Sequence, residues 1–220
     1  MKEFKHLPGL DLIRVFGILV VVFYHYQVET AVRGLCPADF LPAMEPLVQV
    51  AVYTMTLLSG SCLCWQEKSR SWSMKRYLWG RFLAIYPLFW LCFFPIFIYS
   101  DIICGNNEGV APWKLLLSIV GVDGYFQSFT PTFYKIGEWY LGCILFLYAV
   151  FPVLWRMIRR RGVVFAAVGA LFAWLACCFV ENPGQLYPTL IGQLPLFFMG
   201  IFLGGCLPSL WIPGFLAGMT

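Results

Sequence analysis

The sequence predicts an all-α integral membrane protein, a polytopic bundle of about six transmembrane helices. Three observations carry this. Hydrophobic residues make up 60% of the chain and charged residues 12%, and the mean hydropathy is +0.77, well outside the range of soluble domains. Apolar runs of about 20 residues recur, the length a helix needs to cross hydrocarbon. The residue-by-residue apolar/polar alternation of a membrane barrel is missing from these runs.

The spans fall near residues 10–28, 44–66, 77–100, 137–156, 163–181 and 188–207, forming one transmembrane domain over residues 1–220. The first run, Leu10 to His25, carries Asp11, Arg14 and His25 inside it. Ionisable groups are expensive in hydrocarbon, which makes this pattern the best clue to function. Eleven residues make three turns plus roughly 20°, so Arg14 and His25 share a face, about 16 Å apart along the axis. The second span carries Ser59-Gly60, which reads as a close helix contact in preference to a nucleophile, since no base lies nearby in sequence. The third follows a basic segment with Arg76 and opens through Arg81 to Ile85-Tyr86-Pro87. Lys114 to Val120 is too short to span and reads as an interfacial or re-entrant helix. Glu138-Trp139 opens the fourth span, and Trp211, Pro213 and Gly214 could begin a seventh.

Charge sets the orientation. With the amino terminus in the cytoplasm, twelve of the fifteen Lys and Arg fall inside, against Arg33, Lys114 and Lys135 outside. Lys2 and Lys5 precede an uncleaved first span, because Met1 to His6 is too short and polar to front a signal peptide. The net charge of +4 therefore reports topology, and a nucleic-acid partner is not indicated. The nine cysteines have no CxxC or Cys/His spacing, so no metal is expected and most read as packing residues. Cys36 and Cys104 fall in expected outer loops, where a disulfide is chemically permitted.

Guanidinium groups match phosphate oxygens, so Arg14, Arg76 and Arg81 near one membrane face make an anionic, phosphate-bearing ligand a sensible substrate. For Arg81 the alternative is snorkelling to the headgroups. His25 could act as a general base or bond a neighbouring helix. Asp11 could pair with Arg14 three residues on, or complement the helix dipole. Tyr86 and Trp139 each read as an interfacial anchor or as a ligand contact.

These residues resemble the acyltransferase 3 family of membrane acyltransferases. The first-span hallmark, a basic residue, ten intervening residues and a histidine, often after Leu-Asp, is matched by Leu10-Asp11, Arg14 and His25. Leu57-Leu58-Ser59-Gly60 is similar to the family's Leu-Ser-Gly, and Arg81 with Ile85-Tyr86-Pro87 to its Arg-x-x-Arg-Ile-Tyr-Pro, whose second arginine is Ala84 here. Trp139-Tyr140-Leu141 to Tyr148 and Pro152 looks like its Trp-x-Leu segment, with Ile144 where many members carry glutamate. The resemblance implies transfer of an acyl group, usually acetyl, from cytoplasmic acyl-CoA to a hydroxyl of a surface polysaccharide or related glycan. It implies a bacterial cytoplasmic (inner) membrane location, embedded in the lipid bilayer. By this resemblance His25, Arg14 and Asp11 are the catalytic group. Arg14, Arg76, Arg81 and Tyr86 would meet the donor, and Glu138, Trp139 and Tyr148 the acceptor. Members commonly have about ten spans, so the chain reads as an incomplete member. An inactive remnant is one alternative. A transporter is another, although inversely repeated halves with broken helices are not evident.

Overall fold

The computed structural model describes residues 8–35, 37–68, 71–106, 109–126, 129–133, 135, 138–179 and 189–210. Among these the chain is helical without strands: α1 Pro8–Val32, α2 Leu41–Lys68, α3 Met74–Phe97, α4 Leu115–Val120, α5 Trp139–Arg161, α6 Val164–Cys178 and α7 Leu190–Leu210. The all-α membrane class is thereby established. Helices stand at all six expected span positions. Four stretches, Gly9–Val32, Leu41–Lys68, Met74–Ile103 and Trp139–Arg161, are long and apolar enough to cross a membrane, while Val164–Cys178 and Leu190–Cys206 are shorter apolar helices. At 1.5 Å per residue, α6 is about 22 Å long, short of the roughly 30 Å of a bilayer core. Lys2, Lys5, Cys36 and the tail from Trp211 lie outside the described residues, so the Cys36–Cys104 pairing and a seventh span do too.

The helices fall into two compact units: Met1–Arg70 with Met157–Tyr187 and Ile191–Thr220, and Ser71–Arg156 with Pro188–Leu190. In the first unit, α1 lays Val20, Val21 and Tyr24 against Val48 and Ala51 of α2, leaving Leu12, Phe16, Leu19 and Val22 exposed, as suits a lipid-facing side. The contact between α2 and α7 runs through glycines. A Cβ at Gly60 would run into the Phe197 carbonyl, one at Gly200 into the Leu57 carbonyl, and one at Gly204 into the Ser61 carbonyl. Small residues let membrane helices bring their backbones together, and polar side chains can then bond across the seam. Ser61 Oγ donates to the Gly200 carbonyl at 2.8 Å, and Thr56 Oγ1 donates to Gln193 Oε1 at 2.7 Å. The expectation for Gly60 as a close contact is met here, and Ser59 Oγ merely donates to the Met55 carbonyl one turn back.

In the second unit, α3 runs past its expected end. Pro95 has no N–H to give the preceding turn, and the helix continues as a π-turn over Ile98–Ile103. Its inner side packs Phe89 and Phe93 into a core with Phe133, which precedes α5 in the chain. The short α4 is six residues, closed by Gly121 at φ 79°, a left-handed cap that a side chain disfavours. Its terminal carbonyls, orphaned by the helix ending there, are taken up by α3: Tyr86 Oη donates to Val120 O at 3.0 Å and Trp90 Nε1 to Ile119 O at 2.9 Å. Tyr86 lies twelve residues into α3, about 18 Å along its axis from Met74. The end of α4 therefore meets the middle of α3.

Candidate active site

The first-unit group is built on α1. The helix is continuous over Pro8–Val32, so the spacing of Arg14 and His25 is that of an uninterrupted helix, and the two lie on one flank of the stripe that packs on α2. Arg14 Nη1 donates to Asp11 Oδ1 at 3.1 Å, and Nη2 donates to Cys62 Sγ at 2.8 Å. The Arg14 and Asp11 side chains are 38% and 40% exposed, too open for the ion pair itself to stabilise much. Its consequence is orientation: two partners on different helices fix the guanidinium plane. Cys62 is a partner the sequence did not announce, because only the packing of α1 on α2 brings it near. His25, eleven residues on, is exposed, with Tyr24 edge-on at 5.9 Å between ring centroids.

The second-unit group lies on α3 and α5. Tyr77 is buried and its hydroxyl donates to the Tyr148 carbonyl at 2.7 Å, while the Arg81 guanidinium carbon sits 5.4 Å from the centre of the Tyr148 ring. This cation–π contact brings together two residues assigned from sequence to opposite partners, Arg81 to the donor and Tyr148 to the acceptor. Arg76 is exposed and donates to the Ser71 carbonyl at 2.5 Å. Tyr86 is engaged with α4 as described.

At the start of α5, Glu138 is only 2% exposed, and its Oε1 accepts the Lys135 backbone N–H at 3.3 Å. Gly124 packs on the backbone of Trp139, where a Cβ would come within 2.5 Å of the Cα. Nearby, the Lys135 ammonium pairs with Asp101 at 3.1 Å, with side chains 19% and 3% exposed. Asp101 lies within the π-turn that follows α3. Asp101, Lys135 and the wholly buried Asp123 escaped the sequence reading. A charged residue inside Phe97-Ile98-Tyr99-Ser100-Asp101-Ile102-Ile103 was the available signal for the first. Burial holds the Asp123 carboxyl above its ordinary value, with Ser118 and the Gly124 N–H pulling it part of the way back. Among the described residues no three His, Cys, Asp or Glu side chains gather as metal ligands.

A family model described as an acyltransferase domain matches residues 7–214, nearly the whole chain. The chain belongs to the acyltransferase 3 family. This acyltransferase 3 member is similar to acyltransferase MdmB of Streptomyces mycarofaciens, 26% identical over 191 residues, covering 80% of this chain and 47% of that protein. The chain thus spans about half the length of the curated relative it matches. No solved structure matches this acyltransferase 3 chain.

Proposed function

We propose that the protein takes part in transfer of an acyl group, acetyl in the simplest case, from cytoplasmic acyl-CoA to a hydroxyl of a cell-surface glycan. The observation that carries this reading is the Arg14/His25 pair on one continuous helix of a chain matched along its length by an acyltransferase domain. Arg14, held by Asp11 and Cys62, steadies the donor at the cytoplasmic end. His25, about 16 Å further along the helix, takes the proton of the acceptor hydroxyl as its oxygen attacks the thioester carbonyl. The carbon–sulfur bond then breaks, and the CoA thiolate leaves and recovers that proton from the imidazolium. In the relay form of the same chemistry, an imidazole nitrogen attacks the thioester carbonyl, the carbon–sulfur bond breaks and the CoA thiolate leaves; the acceptor oxygen then displaces the imidazole, and the hydroxyl proton ends on the thiolate. Glu138, Trp139 and Tyr148 belong to the acceptor side of this reading, and Arg76, Arg81 and Tyr86 to the donor side. Six bilayer crossings and an inner-membrane location with a cytoplasmic amino terminus complete it.

The test is transfer of radiolabelled acetyl from acetyl-CoA to envelope polysaccharide in membranes carrying the chain. The His25→Ala and Arg14→Ala variants are run beside it after both are shown to insert. His25→Ala abolishes transfer, and Arg14→Ala raises the KM for acetyl-CoA more than it lowers kcat. Substantial transfer by His25→Ala would remove both forms of the mechanism.

A further inference from the structure

Between α2 and α3 the chain passes through Trp72, and its indole meets three aromatic rings of the same unit. Ring centroids lie 5.5 Å from Tyr77, 6.2 Å from Trp155 and 6.4 Å from Phe151, and Phe151 stacks on Trp155 and on Tyr77 at interplanar angles of 17° and 24°. Tyr77, Phe151 and Trp155 are buried, whereas Trp72 stays partly exposed above them. A tryptophan that only anchors a helix at the headgroups needs no such contacts. Here the three rings meet the indole at tilted angles of 35°, 40° and 54°, and these contacts hold its orientation before anything arrives. Cations neighbour these rings in the chain. The Arg76 guanidinium donates to the carbonyl of Ser71, the residue before Trp72, and Lys75 and Arg156, the neighbour of Trp155, are exposed. The Trp155 indole N–H is buried and finds no acceptor among the described residues, which leaves the cluster incompletely satisfied by the protein alone.

We propose that Trp72, held by Tyr77, Phe151 and Trp155, with Arg76 tied to Ser71 beside it and Lys75 and Arg156 exposed on the same two helices, is the stacking platform for the adenine nucleotide head of the acyl donor. This rests on the acyl-CoA reading above and adds the subsite that reading lacks. Aromatic stacking accepts any purine face, and the cations neutralise phosphates that extend from the ribose. The thioester end of the donor lies at the other end of a long, flexible arm and makes no contact with the platform. Trp72 is therefore a binding residue with no part in the chemical step.

The experiment measures binding of radiolabelled acetyl-CoA to the full chain in nanodiscs, with adenosine 3′,5′-bisphosphate and acetyl-pantetheine as competitors. Trp72→Ala should raise the Kd for acetyl-CoA and the inhibition constant of the bisphosphate by about 5- to 100-fold, the range for losing one stacked base. The inhibition constant of acetyl-pantetheine should stay unchanged, and Trp72→Phe, which keeps a ring, should recover most of the affinity. Equal weakening of acetyl-pantetheine by Trp72→Ala would show general damage and overturn the platform. So would an unchanged Kd for acetyl-CoA in a variant of the intact protein that binds it; the acyl-CoA reading would then stand without the platform. A wild-type chain that binds acetyl-pantetheine but neither acetyl-CoA nor the bisphosphate would overturn both at once, and that outcome is recognisable because it needs no variant.

Discussion

The Arg14–His25 registration was legible in the sequence because it depends only on the helix period, which an unbroken apolar run guarantees. What holds Arg14 was legible in half. Asp11 lies three residues away on the same helix, but Cys62 arrives through tertiary packing, and no periodicity encodes it. Asp123 shows the same limit more sharply, since nothing in Val122-Asp123-Gly124 distinguishes a buried carboxylate from a solvated turn. Its burial has a measurable sign. The folded protein holds the Asp123 proton more tightly than the unfolded chain does. Stability therefore falls as pH rises from the ordinary carboxylate value through the raised folded one, and stays lower above it. Asp123→Asn lacks that window. Thermal unfolding in detergent across pH should show the variant gaining on the wild type as pH climbs through the carboxylate range. A difference that does not change with pH would mean the carboxyl titrates alike in both states.

The helices were read from run length, and their positions follow it closely. Their ends do not. The sequence reading stops the third span at residue 100, whereas helical structure continues to Ile103 through a π-turn over Ile98–Ile103. Asp101 falls within this segment. Ser59-Gly60 was recognised as a contact, but its counterpart was not, although Gly200-Ile201-Phe202-Leu203-Gly204 carries the spacing of small residues that membrane helices use. The geometry makes this seam intolerant. At Gly200 a Cβ meets the Leu57 backbone, which cannot rotate away as a side chain would, whereas at Gly80 nothing lies within 4 Å. Gly200→Ala should destabilise the protein by about 1–3 kcal/mol, as overpacking does, while Gly80→Ala should be neutral or stabilise it by up to about 1 kcal/mol through helix propensity. Retained fold against temperature, followed by protease resistance in detergent, separates the two. Equal behaviour would mean that α2 and α7 do not approach as described.

For the whole molecule, the net charge of +4 matters less than where the cations fall. Lys68 closes α2, Lys75 and Arg76 open α3, and Arg159, Arg160 and Arg161 close α5. If α1, α2, α3 and α5 each cross, these basic ends share one side, which is the cytoplasmic one in the proposed orientation, as the positive-inside bias favours. In that orientation Trp72, Arg76 and the Arg14 end of α1 would each lie on the cytoplasmic side, where the proposed CoA thioester is met. Orientation is thus the premise on which the donor assignment stands, and it can be tested without an acceptor. Alkaline phosphatase fused after Gly105 should be active, since export lets it fold with its disulfides. Green fluorescent protein fused after Arg161 should fluoresce, since it matures in the cytoplasm. The reverse pattern, phosphatase activity only after Arg161, would put the basic ends outside. It would separate Arg14, Arg76 and Trp72 from any cytoplasmic acyl-CoA, and the mechanism would then need a donor already on the outer side.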